Sequence, residues 1–269
     1  VNAPERESTP GPGNGGLFDS HLHIIDPRFP VTANQGYVPP TFTVDDYTTH
    51  TAHLDVTGGA VVSGSFQEFD QEYLCEALAR LGPGFVGVTQ LPADVTNERI
   101  LELQHAGVRA VRFNARRGGG TPLDQLDELA RRVHEIAGWH VECYVDAREL
   151  HELAPTLAAL PAVSIDHLGL NADGLNHLLR LVERGARVKA TGFGRFTGDV
   201  PTAMRAIADV NENALIFGTD LPSTRAPRPF RDSDITLVRE TFEESQANRV
   251  LHDNAVDLYR PPAFTDPPK

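Results

Sequence analysis

Short apolar runs alternate with amphipathic stretches along most of the chain. Runs rich in Val, Ile, Phe and Leu at residues 17–26, 59–66, 85–91, 108–114, 140–146, 163–168, 188–191 and 215–220 predict eight strands. Between them, residues 71–81, 98–105, 123–137, 175–184 and 235–242 carry apolar positions at i, i+3 and i+4, the period of a helix with one buried face. Leu126, Leu129, Val133 and Ile136 form one such stripe. Eight strands, each followed by a helical segment, within about 250 residues is the rhythm of a single (β/α)8 barrel, an α/β fold. A doubly wound open sheet is the alternative. It normally carries a Gly-rich turn after its first strand, whereas here that strand runs through His-Leu-His-Ile-Ile-Asp with no such turn.

The barrel is expected to fill residues 17–260. Residues 1–16 are rich in Pro, Gly and Asn and lack the basic start and apolar core of a secretory signal, so they read as a disordered leader. Residues 261–269, with four prolines, read as an extended tail. No apolar run reaches the length of a membrane-spanning helix. Lys and Arg number 24 against 37 Asp and Glu, a net charge of −13. A chain this acidic repels phosphate backbones, and no basic stripe offsets that, so nucleic acid is excluded as a partner. Two cysteines, Cys75 and Cys143, make no disulfide framework, and a reducing cytoplasmic location is the default expectation. The pattern leaves the oligomeric state open.

The candidate chemistry lies at the strand ends. In His21-Leu22-His23, alternation puts both imidazoles on one face, pointing into the barrel if Leu22 packs outward. In Ile165-Asp166-His167, an inward Ile165 makes His167 inward too. Asp220 closes the apolar strand 215–220, where an unpaired carboxylate is costly. Taken singly, each has a structural reading: a capped core histidine, a helix cap, a salt bridge. Together they sit on strands 1, 6 and 8, which a closed barrel gathers around one mouth, its C-terminal face.

The segments Phe18-Asp19-Ser20-His21-Leu22-His23, Ile165-Asp166-His167-Leu168-Gly169 and Phe217-Gly218-Thr219-Asp220-Leu221-Pro222 resemble, in order and spacing, the amidohydrolase superfamily. Within it the chain is similar to the branch of TIM-barrel hydrolases that includes 2-pyrone-4,6-dicarboxylate lactonase. The resemblance implies that His21, His23 and His167 polarise a scissile carbonyl and that Asp220 activates water. Metal-dependent members carry a bridging residue on strand 4 and a histidine on strand 5. Here strand 4 offers Arg112, and strand 5 offers Glu142 and Tyr144, with His140 at the wrong end for the mouth. A binuclear metal site is therefore not expected. A single divalent ion, zinc or manganese, held by His21, His23 and Asp220, is the alternative, since three protein ligands suffice for catalytic zinc.

In that branch, arginines hold the substrate's carboxylates. Arg112 points inward in register with Ala110 and Asn114, with Glu142 as its structural alternative partner. Arg117 precedes three glycines and Arg195 follows the short seventh strand; Arg116, Arg225, Arg228 and Arg231 read as surface or rim charges. Tyr144 is inward. The resemblance adds Ser65, which shares a face with Ser63, and Tyr37 in the loop after strand 1. The expected activity is hydrolysis of a small, cyclic, carboxylated ester, a lactone, without metal. A mononuclear metal-dependent sugar-lactone hydrolase or decarboxylase, and a non-hydrolytic rearrangement enzyme on the same barrel, are the alternatives.

Overall fold

A computed structural model describes residues 16–265; the expected leader lies almost entirely outside that range, as do the last four residues of the tail. Eight parallel strands pair in sequence order: β1 (Leu17–Leu22), β2 (Val56–Val62), β3 (Phe85–Thr89), β4 (Val108–Asn114), β5 (His140–Tyr144), β6 (Val163–Ile165), β7 (Arg187–Ala190) and β8 (Leu215–Phe217). The barrel closes at its mouth, where the Asp220 amide donates to the His21 carbonyl at 2.7 Å and the His23 amide to the Leu221 carbonyl at 2.8 Å. This is the expected (β/α)8 architecture.

The outer layer holds the helices α1 (Val44–Thr51), α2 (Glu72–Leu81), α3 (Asn97–His105), α4 (Leu126–Ala137), α5 (Leu150–Ala159), α6 (Leu175–Val182), α7 (Val200–Val210) and α8 (Asp232–Thr241). α2, α3, α4, α6 and α8 fall on the five predicted stretches; α4 turns Leu126, Leu129, Ala130 and Val133 inward and ends on Gly138 in the left-handed conformation. Two helices carry weaker signals. α1 rests on a Thr43–Asp46 capping box and buries only Val44, Tyr47 and Thr51. α5 contains Pro155, a residue that ordinarily interrupts a helical reading.

Inside the barrel, Phe18, Ala60, Val62, Val86, Val88, Ala110 and Ile216 fill the lower half. α9 (Glu244–Asn248) and α10 (Asn254–Tyr259) close the bottom, where Tyr259 stacks on Phe18 with ring centroids 5.8 Å apart. The tail departs from the extended form expected of it. Pro262–Thr265 is a helical turn, the Ala263 amide donates to the Pro83 carbonyl, and Phe264 lies edge-on to Phe18. Apolar contact with the barrel floor supplies the order that its prolines alone do not. Among the described residues no helix is long and apolar enough to cross a membrane.

Candidate active site

A pairing irregularity in β1 sets the site. The β1–β2 register shifts between Asp19 and Leu22. Phe18 therefore faces the barrel interior while Leu22 packs outward, and both His21 and His23 turn in, as expected. Asp19 ties the seam to β8. Its carboxylate accepts from the Thr219 amide at 2.8 Å, the Thr219 hydroxyl at 2.7 Å and the Tyr47 hydroxyl at 3.1 Å. Burial lifts the Asp19 carboxyl to about 6 against the pull of those bonds.

Strand 6 does not follow the expected alternation. Ile165 packs outward among the helices, and Asp166 turns inward. His167 still reaches the site because β6 stops at Ile165 and the backbone swings into the left-handed region at His167 (φ 53°) and Leu168 (φ 54°). Asp220 is also left-handed, at φ 61°. Non-glycine residues held there are uncommon and gather at functional sites. Gly192 faces both: a Cβ on it would lie 2.8 Å from His167 Nδ1 and 3.1 Å from Asp220 Oδ2.

Asp220 is fully buried. Its Oδ2 accepts from Arg195 Nε at 2.7 Å. Its Oδ1 has no hydrogen-bond partner and lies 3.8 Å from His23 Nε2 and 4.0 Å from His21 Nε2, itself unpartnered. Two hydrogen bonds of about 2.8 Å meeting near a right angle span about 4 Å, so one oxygen atom fits between these groups. Burial raises the Asp220 carboxyl above its ordinary value, and the Arg195 guanidinium pulls it part of the way back.

The three histidines are neutral. Burial, with the nearby Arg112 charge, brings His23 down to about 3; burial with Lys189 and burial with Arg195 put His21 and His167 well below their usual value. His23 Nδ1 lies 2.7 Å from the Val62 carbonyl. A carbonyl only accepts, so Nδ1 carries the ring proton and Nε2 presents a lone pair towards Asp220. His23 thus cannot donate to a substrate carbonyl, the role the resemblance implies for it. His167 Nδ1 pairs with the Thr191 hydroxyl at 2.7 Å.

The pocket above is lined by His23, Ser65, Asn114, Tyr144, His167 and Asp220, and by the guanidiniums of Arg112, Arg117, Arg195 and Arg225. His21 lies one layer beneath, its ring centroid 4.8 Å from that of His167. The arginines fall into two kinds. Arg112, expected to meet an acidic substrate with Glu142 as the structural alternative, instead donates to Asp166 at 2.8 Å and to the Ser63 carbonyl at 2.7 Å, and its guanidinium carbon lies 5.6 Å from the Tyr144 ring centroid. Arg195 is held by Asp220 and by the Thr224 carbonyl at 2.6 Å, and its Nη1 carries no bond to the described residues. Among the described residues Arg117 and Arg225 have only neutral partners: Gln35 for Arg117, Asn34 and the Tyr37 ring at 4.4 Å for Arg225. Desolvation and the adjacent Arg117 charge pull the Arg225 guanidinium below its ordinary range. Arg225, expected at the surface or rim, lines the pocket and is partly exposed. Tyr37 is not among the lining residues; its ring lies against the Arg225 guanidinium. Arg116 pairs with Asp146 at 3.1 Å outside the pocket.

A buried ionic layer lies below the histidines. Lys189 Nζ donates to Glu142 at 2.6 Å and to the Ser20 carbonyl at 2.9 Å, and lies 3.2 Å from His21 Nδ1. Burial alone would raise Glu142; the Lys189 ammonium and the His140 contact override it and hold the carboxyl below its usual range. Sequence reasoning passed over Lys189 and Asp166. A lysine between Val188 and Ala190 in an apolar strand was the available signal, since a buried lysine needs a carboxylate.

A match to the amidohydrolase family model runs over residues 18–260. The chain belongs to the amidohydrolase family. This amidohydrolase is 27% identical over 280 aligned residues to a 2-pyrone-4,6-dicarboxylate hydrolase of Comamonas testosteroni, covering 91% of this chain and 90% of that one. A Pseudomonas putida structure provisionally named a 2-pyrone-4,6-dicarboxylic acid hydrolase is 25% identical, with a TM-score of 0.77 over 91% of this chain and 97% of that one. An Acinetobacter baumannii structure with the same provisional name and citric acid bound is 21% identical, with a TM-score of 0.79 over 91% of this chain and all of that one, and shares the fold.

Members of the family often use metal, so the donors bear inspection. Among the described residues, His21, His167 and Asp220 place ligand atoms within 4.8 Å of one another, a grouping that substitutes His167 for the anticipated His23. The unpartnered His21 Nε2 and Asp220 Oδ1 are the atoms that would ligate a small cation. The charges around them fit a cation poorly. Arg195 already neutralises Asp220 at 2.7 Å, and the Lys189 ammonium touches the other nitrogen of His21 at 3.2 Å. Each carboxylate beside these atoms is already matched by a fixed cation, Asp220 by Arg195 and Glu142 by Lys189, which leaves little net negative charge to hold a metal ion.

Proposed function

We propose that this amidohydrolase is a metal-independent lactonase that opens a small cyclic ester carrying carboxylates. The observation that carries the reading is the buried, unpartnered Asp220 Oδ1, set beside two neutral imidazole nitrogens beneath four arginines. The names of the relatives support it, because a 2-pyrone-4,6-dicarboxylate is a cyclic ester with two carboxylates.

In this reading a water oxygen sits between Asp220 Oδ1 and the histidines. Asp220 takes its proton as the oxygen attacks the lactone carbonyl. His167 and the unoccupied Nη1 of Arg195 donate to the carbonyl oxygen as negative charge builds there, each such donor contributing a few kcal/mol. The bond to the ring oxygen then breaks, and Asp220 returns its proton to that oxygen. One water is consumed: one of its protons ends on the ring oxygen as a hydroxyl, and the other leaves the new carboxylic acid for solvent, so that one hydroxyl, one carboxylate and one released proton form. The purified protein, given 2-pyrone-4,6-dicarboxylate or a related carboxylated lactone in oxygen-labelled water, is expected to place one labelled oxygen in the new carboxylate. Conversion without label would show rearrangement instead of hydrolysis.

Arg117 and Arg225, paired with no carboxylate among the described residues, supply the charge for the substrate's own; Tyr144 and Ser65 complete the wall. Arg→Met at position 117 or 225 should raise KM for the carboxylated lactone about ten- to a hundredfold, the value of a charge-assisted contact. The neutral ester analogue should be little affected. Equal losses on both analogues would assign these arginines to holding the loops.

The His21, His167 and Asp220 grouping favours a second reading, in which these residues would hold one zinc or manganese ion that would supply Lewis acidity. Exhaustive chelation separates the two. We expect turnover to stay within about twofold, with no gain on adding either metal and well under one equivalent of metal in the purified protein. A stoichiometric ion whose removal abolishes turnover would establish the second reading. Two unpaired thiols, Cys75 and Cys143, support a reducing cytoplasmic location for the enzyme.

A further inference from the structure

Lys189 lies on β7 at full burial, beneath the histidines and out of reach of the pocket. An ammonium has three donors and no acceptor, and here each is directed at one partner: the Glu142 carboxylate at 2.6 Å, the Ser20 carbonyl at 2.9 Å and His21 Nδ1 at 3.2 Å. The competing acceptor for a proton on His21 Nδ1 is Asp166 Oδ1, which lies 3.6 Å away, beyond hydrogen-bonding distance. Facing a donor, Nδ1 must offer its lone pair, and the ring proton of neutral His21 then resides on Nε2, the atom 4.0 Å from Asp220 Oδ1.

We infer that Lys189 is a positioning residue that locks His21 as an Nε2–H donor, so that His21 and His23 present opposite hydrogen-bonding faces to the catalytic water. His23, bound through Nδ1 to the Val62 carbonyl, offers an acceptor. A water held here donates one proton to Asp220 Oδ1 and the other to His23 Nε2, and accepts from His21 Nε2–H. Its remaining lone pair is left for the carbonyl carbon. With the opposite tautomer of His21, three acceptors would compete for two protons and nothing would orient the oxygen. The lock works through a pair, because Glu142 fixes the charge and direction of Lys189 from below. The inference rests on the metal-free hydrolytic reading for the role of the water, but not for the tautomer itself.

Nitrogen-15 histidine spectra of the substrate-free protein test it, with His21 assigned by difference from His21→Gln. The expected spectrum shows His21 protonated at Nε2 with a hydrogen-bond-accepting Nδ1. A proton on Nδ1 overturns the inference whatever the enzyme's substrate proves to be, so this failure is distinct from failure of the lactonase reading. The companion variant, Lys189→Met with Glu142→Gln, removes both buried charges together. It should melt as a folded protein, move His21 to the Nδ1–H form in a measurable fraction, and lose about tenfold or more in kcat with KM within about threefold. A folded double variant with His21 still Nε2–H and wild-type kcat also overturns it. Should the double variant fail to fold, the wild-type spectrum alone decides.

Discussion

Asp220→Asn is expected to lower kcat by at least about 100-fold, the low end of what a positioned general base contributes, while KM changes little. The amide keeps the shape of the carboxylate, and its oxygen can still accept from Arg195 Nε, but it cannot take a proton from water. The pH profile carries the same assignment. A raised Asp220 is protonated and inactive at low pH, so kcat/KM should climb with pH along one acid limb lying above the ordinary carboxylate range. The histidines, already neutral, should add no second limb from pH 5 to 8. Arg195→Met removes the charge that favours ionised Asp220, so its limb should move to higher pH. Near-full turnover in Asp220→Asn, or a limb that moves down in Arg195→Met, would show that Asp220 is structural.

Arg112→Met is expected to cost about 3–5 kcal/mol of stability, the usual penalty for stripping one partner from a buried ion pair. Arg112 and Asp166 are both buried and meet at 2.8 Å, joining β4 to the end of β6 inside the barrel, past the intervening β5. Removing the guanidinium strands a carboxylate that burial already disfavours in its charged form. The measurement is the urea midpoint, with Arg112→Met/Asp166→Asn recovering part of the loss because the second change removes the stranded charge. Unfolding of Arg112→Met at the wild-type midpoint would show that the pair is not what joins these strands. This outcome separates Arg112 from Arg117 and Arg225, whose loss should change substrate affinity and leave the urea midpoint near wild type.

The sequence by itself determined the barrel and the identity of its polar strand ends. Both are local properties. The helical period of α4 and the apolar runs of the strands follow from which faces must leave water, and His21, His23, His167 and Asp220 stand out because a polar residue closing an apolar strand has few structural excuses. Alternation also placed Arg112 and Tyr144 correctly, because β4 and β5 are regular to their ends.

Only the tertiary structure decided what those residues do to one another. Alternation failed at Ile165, where the strand stops and a left-handed turn, not the pleat, aims His167. It could not pair charges across the barrel. Arg112 reaches Asp166, just past the end of β6, instead of Glu142 on the adjacent strand, and Glu142 goes to Lys189 on β7, because inward side chains from alternate strands of a barrel meet in one layer. Arg225 arrives at the pocket from a loop whose path is set by Asn34 and Tyr37 of another loop. The hydrogen-bonding sense of each imidazole depends on the atom opposite its second nitrogen: a carbonyl for His23, an ammonium for His21. Those atoms lie 39 and 168 residues away along the chain, and only folding brings them within hydrogen-bonding distance.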